Sequence, residues 1–134
     1  MKLTFTPYTL KFKRPFSIAH GSRDPEAAQS FFEFLERFRS AYPHRLVEGA
    51  FLELAKPAIP QGIENCIARG VTEIIILPMM FFPGRHVKED IPRLIETAKA
   101  RHPEVDFHYA GPVSEHPMLL SILEEKAKQT KGKS

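Results

Sequence analysis

Two histidines carry most of the chemistry this sequence offers: His20 in "SIAHGSRDPEA" (residues 17–27) and His86 behind "FFPGR" (81–85). Imidazole accepts a proton near neutral pH and also binds first-row divalent metals. The small residues around His20 have backbone explanations: Gly21 at a bend, Ser22 or Asp24 as helix N-cap, and Pro25 at the first helical position. His20 and Arg23 are left over. Two histidines do not close a structural zinc site, which takes four ligands, so an open site that holds a metal transiently suits them better. Glu53 in "FLELAKP", and Glu89 and Asp90 just after His86, are carboxylates that can assist a metal or a base. For Glu89 and Asp90, the positive end of a helix dipole is the preferred explanation.

Competing motifs are weak. His44 and His102 each adjoin a proline at a helix end, His108 lies in a strand and His116 opens the last helix, so structural or solvent-facing roles are expected for all four. There is no Gly-x-Gly-x-x-Gly and no Gly-Lys-Ser/Thr phosphate loop. "HGS" lacks the Gly-x-Ser-x-Gly elbow of a serine hydrolase. Cys66, the single cysteine, falls in the apolar pattern "GIENCIARG" and reads as a buried helix residue that has no internal disulfide partner.

The elements that must position these residues alternate. "PFSIAH" is a first strand, and "DPEAAQSFFEFLERFRSAYP" has the 3.6-residue apolar period of a helix ended by Pro43. "RLVEGAFLEL" is a short strand, and "KPAIPQGIENCIARG" is a helix closed by Gly70. "TEIIILPMM" is a continuous apolar run, the mark of a strand covered on both faces. After the loop "FFPGRH" comes a helix over "GRHVKEDIPRLIETAKARHP" with Pro92 in its first turn. "VDFHYAG" and "HPMLLSILEEKAKQ" supply the fourth strand and fourth helix. This alternation predicts an α/β fold with a parallel four-stranded sheet wrapped by helices. In the flavodoxin-like order 2-1-3-4, the ligand crevice lies between the first and third strands, where His20 and His86 fall.

Length and composition bound the reading. The 134 residues fit one domain, 1–134, and the 43% hydrophobic and 26% charged fractions are those of an ordinary globular protein. No apolar run approaches the roughly 20 residues a membrane helix needs, and the opening lacks a signal-peptide core, so a cytoplasmic location is expected. Residues 1–23 hold five basic groups and no acid, while the remainder carries a net charge of −2, which speaks against nucleic acid as a partner. Residues 1–15, interrupted by Pro7 and Pro15, read as an atypical strand or arm. The basic tail 127–134 is expected to fray.

With "AHGSRDPEA", "AFLELAKPAIPQGI", "VTEIIILPMMFFPGRHVKEDIP" and "GPVSEHPMLL" in order, the chain resembles the short sirohydrochlorin chelatases of the class II group over about residues 18–125. The resemblance implies a flavodoxin-like domain half the size of the two-domain chelatases and a homodimer that completes the cleft. It implies ATP-independent insertion of cobalt, iron or nickel, a co-substrate rather than a permanent cofactor, into a carboxylate-rich tetrapyrrole. His20 matches the family's proton-accepting, metal-contacting histidine and His86 its second metal histidine; Glu53 becomes an auxiliary acid. Phe81, Phe82, Pro83, Gly84 and Arg85 match the segment lining the macrocycle, and Arg23, Arg85 and Lys88 can pair with its carboxylates. Lys56 stands near the substrate where the family usually has an acid.

A second likeness competes at the start. "MKLTFTPYTLKFKRPFSIAHGSR" resembles the opening of the dipeptide epimerases of the enolase superfamily, which would imply a fusion through the shared "HGSR". Two alternatives to the enzyme remain open: an inactive or engineered chelatase-like scaffold, and a carrier of metal or tetrapyrrole.

Overall fold

The computed structural model describes the backbone of residues 13–19, 24–43 and 45–133, with side chains over 24–43 and 45–132. His20, Arg23, His44 and most of the N-terminal arm lie outside the described residues. The elements are β1 (Lys13–Ala19), α1 (Pro25–Ala41), β2 (Glu48–Phe51), α2 (Ile59–Ala68) and β3 (Glu73–Pro78). A π-turn (His86–Asp90) then runs into α3 (Ile91–Arg101), followed by β4 (Asp106–Tyr109), a 3₁₀ turn (Val113–Glu115) and α4 (Met118–Lys133). The strands pair in the order β2-β1-β3-β4, and every pairing is parallel. Parallel neighbours require crossovers, which the intervening helices provide.

Alternation along the strands sends successive side chains to opposite faces. Ala50, Ile74 and Ile76 pack with Ile59, Ile63 and Cys66 of α2 and with Ile91, Ile95 and Ala98 of α3. Phe51 turns the other way and joins Phe31 and Leu35 of α1. The helices therefore cover both faces, α2 and α3 on one and α1 on the other. Cys66 is fully buried, as its place in the apolar pattern implied.

Helix α1 begins as its sequence dictates. Asp24 caps it by accepting the Glu26 N–H at 3.0 Å, and Pro25 occupies the first turn. Near its other end, the Arg39 guanidinium donates to the Val47 carbonyl through Nε at 3.0 Å and a terminal nitrogen at 2.7 Å, which ties the helix to the start of β2. Gly49 is required beneath it, since a Cβ there would run into Leu35 Cδ1 and the Phe31 ring. Gly70, with φ of 84°, ends the α2 segment in the left-handed region that glycine adopts freely.

Three boundaries differ from the expectation. β1 begins at Lys13 and includes Pro15; β2 starts pairing only at Phe16, so Pro15 has a neighbour on one side alone, where a missing N–H costs least. β2 is shorter than "RLVEGAFLEL" and ends at Phe51, leaving Glu53 in the following loop. α4 continues to Lys133, so residues 127–133 of the basic tail are helical. Lys128 pairs with Glu124 at 3.9 Å, Thr130 Oγ1 donates to the Lys126 carbonyl, and the lysines complement the negative end of the helix dipole.

Candidate functional site at the carboxyl edge of the sheet

Because every strand runs the same way, β1, β2, β3 and β4 end along one edge at Ala19, Phe51, Pro78 and Tyr109. Ala19 is in register with Phe51, and Ile18 with Pro78. α1, which comes after β1, packs on one face of the sheet, and α2, which comes after β2, on the other. The winding therefore reverses beside β1, and a crevice opens outside the strand ends there.

The loop after β2 is closed at its base. The Phe51 N–H donates to the Pro57 carbonyl at 2.8 Å, and Phe51 bridges to Ala58. Glu53 and Lys56 are both exposed within it, beside a surface hollow lined by Lys56, Pro57, Ala58, Gln61 and Asn65. Leu54 sits at φ of 66°, an unfavourable conformation for a residue with a side chain, and one that the tied loop ends sustain.

The loop after β3 presents aromatic surface. Phe81 and Phe82 are 61% and 75% exposed, with ring centroids 6.4 Å apart. Their backbone is anchored, since Met80 and Phe81 carbonyls accept the Val113 and Ser114 N–H groups of the 3₁₀ turn at 3.1 and 2.9 Å. Large apolar side chains held outward on a fixed loop mark an interaction surface.

His86 opens the π-turn. The Ile91 N–H reaches back five residues to the His86 carbonyl, and the Lys88 N–H donates to the Gly84 carbonyl. His86 Nδ1 lies 2.7 Å from Asp90 Oδ2. Asp90 Oδ1 faces Arg93 at 3.4 Å and Arg85 at 3.9 Å. The hydrogen bond from His86 holds the Asp90 carboxyl below its ordinary range, against an opposing effect of desolvation, and Arg85, His86 and Arg93 add their positive charge. Asp90 is thus an ionised acceptor, and Nδ1 is the donor. Tyr109, at the end of β4, donates its hydroxyl to the Val87 carbonyl at 2.9 Å. Burial pushes its phenol up to about 12.

The structure thus brings His86, Arg85, Phe81 and Phe82 onto one segment, with Lys88 exposed on the same turn, while Glu53 and Lys56 stand on the loop after β2, which lies on the far side of β1 in the sheet. His20 and Arg23 belong to residues the structure does not describe. Asp90 stands at the N-cap position of α3, the positive helix end expected for it, but its side chain makes no capping bond and goes to His86 instead. The signal was legible as a His-x-x-x-Asp spacing, which puts both side chains on one helical face. Tyr109 left no such signal, because its contact joins residues 22 apart in sequence.

The other histidines in the described residues have structural partners. His102 ends α3 and meets Glu64 of α2 at 2.8 Å, His108 meets Glu73 of β3 at 2.9 Å, and His116 Nδ1 accepts the Met118 N–H at the start of α4. Among the described residues, no trio of His, Cys, Asp and Glu is gathered closely enough to hold a metal. No described helix is long and apolar enough to cross a membrane.

A parallel α/β sheet with a histidine and an aromatic loop at its carboxyl edge defines the class: an open α/β domain with its crevice beyond the strand ends. The chain belongs to the CbiX family, whose model matches residues 16–130. It is 36% identical over 114 residues to the sirohydrochlorin cobaltochelatase of Priestia megaterium, covering 84% of this chain and 37% of that one. It is 37% identical over 113 residues to the sirohydrochlorin ferrochelatase of the same organism, covering 84% and 42%. The crystal structure of the sirohydrochlorin chelatase SirB from Bacillus subtilis subspecies spizizenii in complex with cobalt superimposes with a TM-score of 0.80 at 30% identity, over 88% of this chain and 50% of that one. The chain therefore spans between about two fifths and one half of these relatives. The family match begins within β1 and takes in "HGSR", and these comparisons lend no support to the epimerase likeness of residues 1–22 or to a fusion.

Proposed function

We propose that this chain is a sirohydrochlorin metal chelatase that inserts cobalt, iron or nickel without ATP, in a cobalamin- or siroheme-forming route. The observation that carries the reading is His86, oriented by Asp90 beside the exposed Phe81 and Phe82, in a chain whose relatives are named for this reaction. The domain is of the flavodoxin-like chelatase type.

Insertion requires the pyrrole protons to leave and metal-bound water to be exchanged for ring nitrogens. A weak histidine site serves this better than a closed cage, because the metal must be released. His86 offers Nε2 to the incoming metal, with Nδ1 committed to Asp90. His20 takes the role of base and second metal contact, and Glu53 that of auxiliary acid. Phe81 and Phe82 lie against the macrocycle on the loop of Pro83 and Gly84, while Arg23, Lys56, Arg85 and Lys88 pair with its carboxylates. A homodimer completes the cleft. In support, these relatives are two or more times this length, and α4 carries Met118, Leu120, Ile122 and Leu123 at 50% exposure or more.

The test is the absorbance of sirohydrochlorin with Co²⁺ over time, with and without protein, corrected for spontaneous insertion. Acceleration that His20→Ala combined with His86→Ala removes is the expected result. Binding of tetrapyrrole and metal without acceleration would identify a carrier instead, and a folded protein that does neither would be a scaffold.

A further inference from the structure

The π-turn runs directly into Pro92, in the first turn of α3. Pro92 has no N–H, so neither the five-residue partner of Val87 nor the four-residue partner of Lys88 exists. The Ile91 N–H, which in an α-helix would serve the carbonyl of buried Val87, goes to His86. Tyr109 supplies a donor to that carbonyl from the end of β4 at 2.9 Å. A turn wider than that of an α-helix rotates the residues on its two sides relative to each other, and such turns recur where a side chain must be aimed.

The aimed side chain is His86. A neutral imidazole exchanges its proton between two nitrogens unless one is engaged, and only the bare nitrogen can bind a metal or accept a proton. Here Nδ1 is 2.7 Å from a carboxylate oxygen. The other carboxylate oxygen faces Arg93 and Arg85, which fix the acid in place.

We propose that Asp90 and Tyr109 are positioning residues for His86: Asp90 Oδ2 keeps the proton on Nδ1 so that Nε2 carries the lone pair, and the Tyr109 hydroxyl closes the π-turn that bears the ring. The proposal rests on the reading of His86 as a metal contact, and deepens it. An outer partner that fixes a ligating histidine is worth about 10- to 100-fold in metal affinity or activity.

The test uses the full chain with Asp90→Ala, Asp90→Glu and Tyr109→Phe, and two readouts. Imidazole ¹⁵N spectra without metal report the tautomer of His86 directly. The wild type is expected to show Nε2 unprotonated, Asp90→Ala a mixture of tautomers, and Asp90→Glu a return toward the wild-type pattern. Co²⁺ titration is expected to weaken about 10- to 100-fold in Asp90→Ala, by less in Asp90→Glu. In Tyr109→Phe, the Ile91 amide should exchange faster with solvent. An Asp90→Ala protein that keeps the Nδ1–H tautomer, or binds Co²⁺ within twofold of wild type, overturns the proposal. If His86→Ala leaves Co²⁺ binding unchanged, the metal-contact reading fails, while the ¹⁵N spectra still decide what orients the ring.

Discussion

The Tyr109 hydroxyl reaches across from the end of β4 to the Val87 carbonyl at 2.9 Å, and so couples the sheet to the turn that carries His86. The coupling is local in space but distant in sequence. It makes the phenol part of the site's framework, with consequences at high pH.

Tyr109 has its phenol pushed up by burial, from 10.0 to about 12. A group whose pKa is higher folded than unfolded gives its full stabilisation below the unfolded value and loses it as pH rises through the folded one. The wild type should therefore lose stability between about pH 10 and 12 more steeply than Tyr109→Phe. Chemical denaturation at several pH values, alongside the ultraviolet phenolate band, checks this; parallel pH profiles for the two proteins would refute it.

Phe82 is 75% exposed and contributes little to the core. Phe82→Ala should leave Tm nearly unchanged and raise KM for the tetrapyrrole about tenfold or more, from the roughly 1.5–3 kcal/mol of burying a phenylalanine. Steady-state kinetics with Co²⁺ fixed separates this from a fall in kcat, which would put Phe82 nearer the reacting atoms.

Lys56 offers positive charge on the exposed β2 loop. Lys56→Glu should weaken binding of a carboxylate-rich substrate about three- to tenfold at low salt, in keeping with the modest worth of exposed charge pairs, and the loss should shrink as salt is added. KM measured across ionic strength is the check; a KM equal to or lower than that of the wild type would mean that Lys56 does not face the substrate.

Gly49 lies directly under α1. Gly49→Ala should destabilise the fold by about 1–3 kcal/mol, because the added methyl must displace Leu35 or Phe31 in a packed interface. Urea denaturation reads this. An unchanged midpoint would show that α1 shifts at no cost.

Much of the fold was legible in the sequence. Apolar periodicity located α1, α2 and α3, and the run "TEIIILP" marked β3, because these segments bury a face or both faces and the pattern must match. Their ends were less so. β2 stops at Phe51 because the chain turns back through the Phe51–Pro57 hydrogen bond, a closure that no local pattern announces. α4 runs on through the basic tail, where Lys128 pairs with Glu124 one turn back.

At the site, residue type singled out His86, and its place after the third strand put it at the carboxyl edge. The sequence by itself determined the alternation of strand and helix, the buried runs and the chemical identity of the side chains, since these depend on local propensity and on the partition of apolar groups from water. Only the tertiary structure decided that the Asp90 side chain, at the helix N-cap, turns to His86, a pairing the spacing allowed but did not choose over capping, and that Tyr109 completes the turn between them. Both depend on angles and separations of a few ångströms, set where the π-turn runs into α3 and β4 packs beside it.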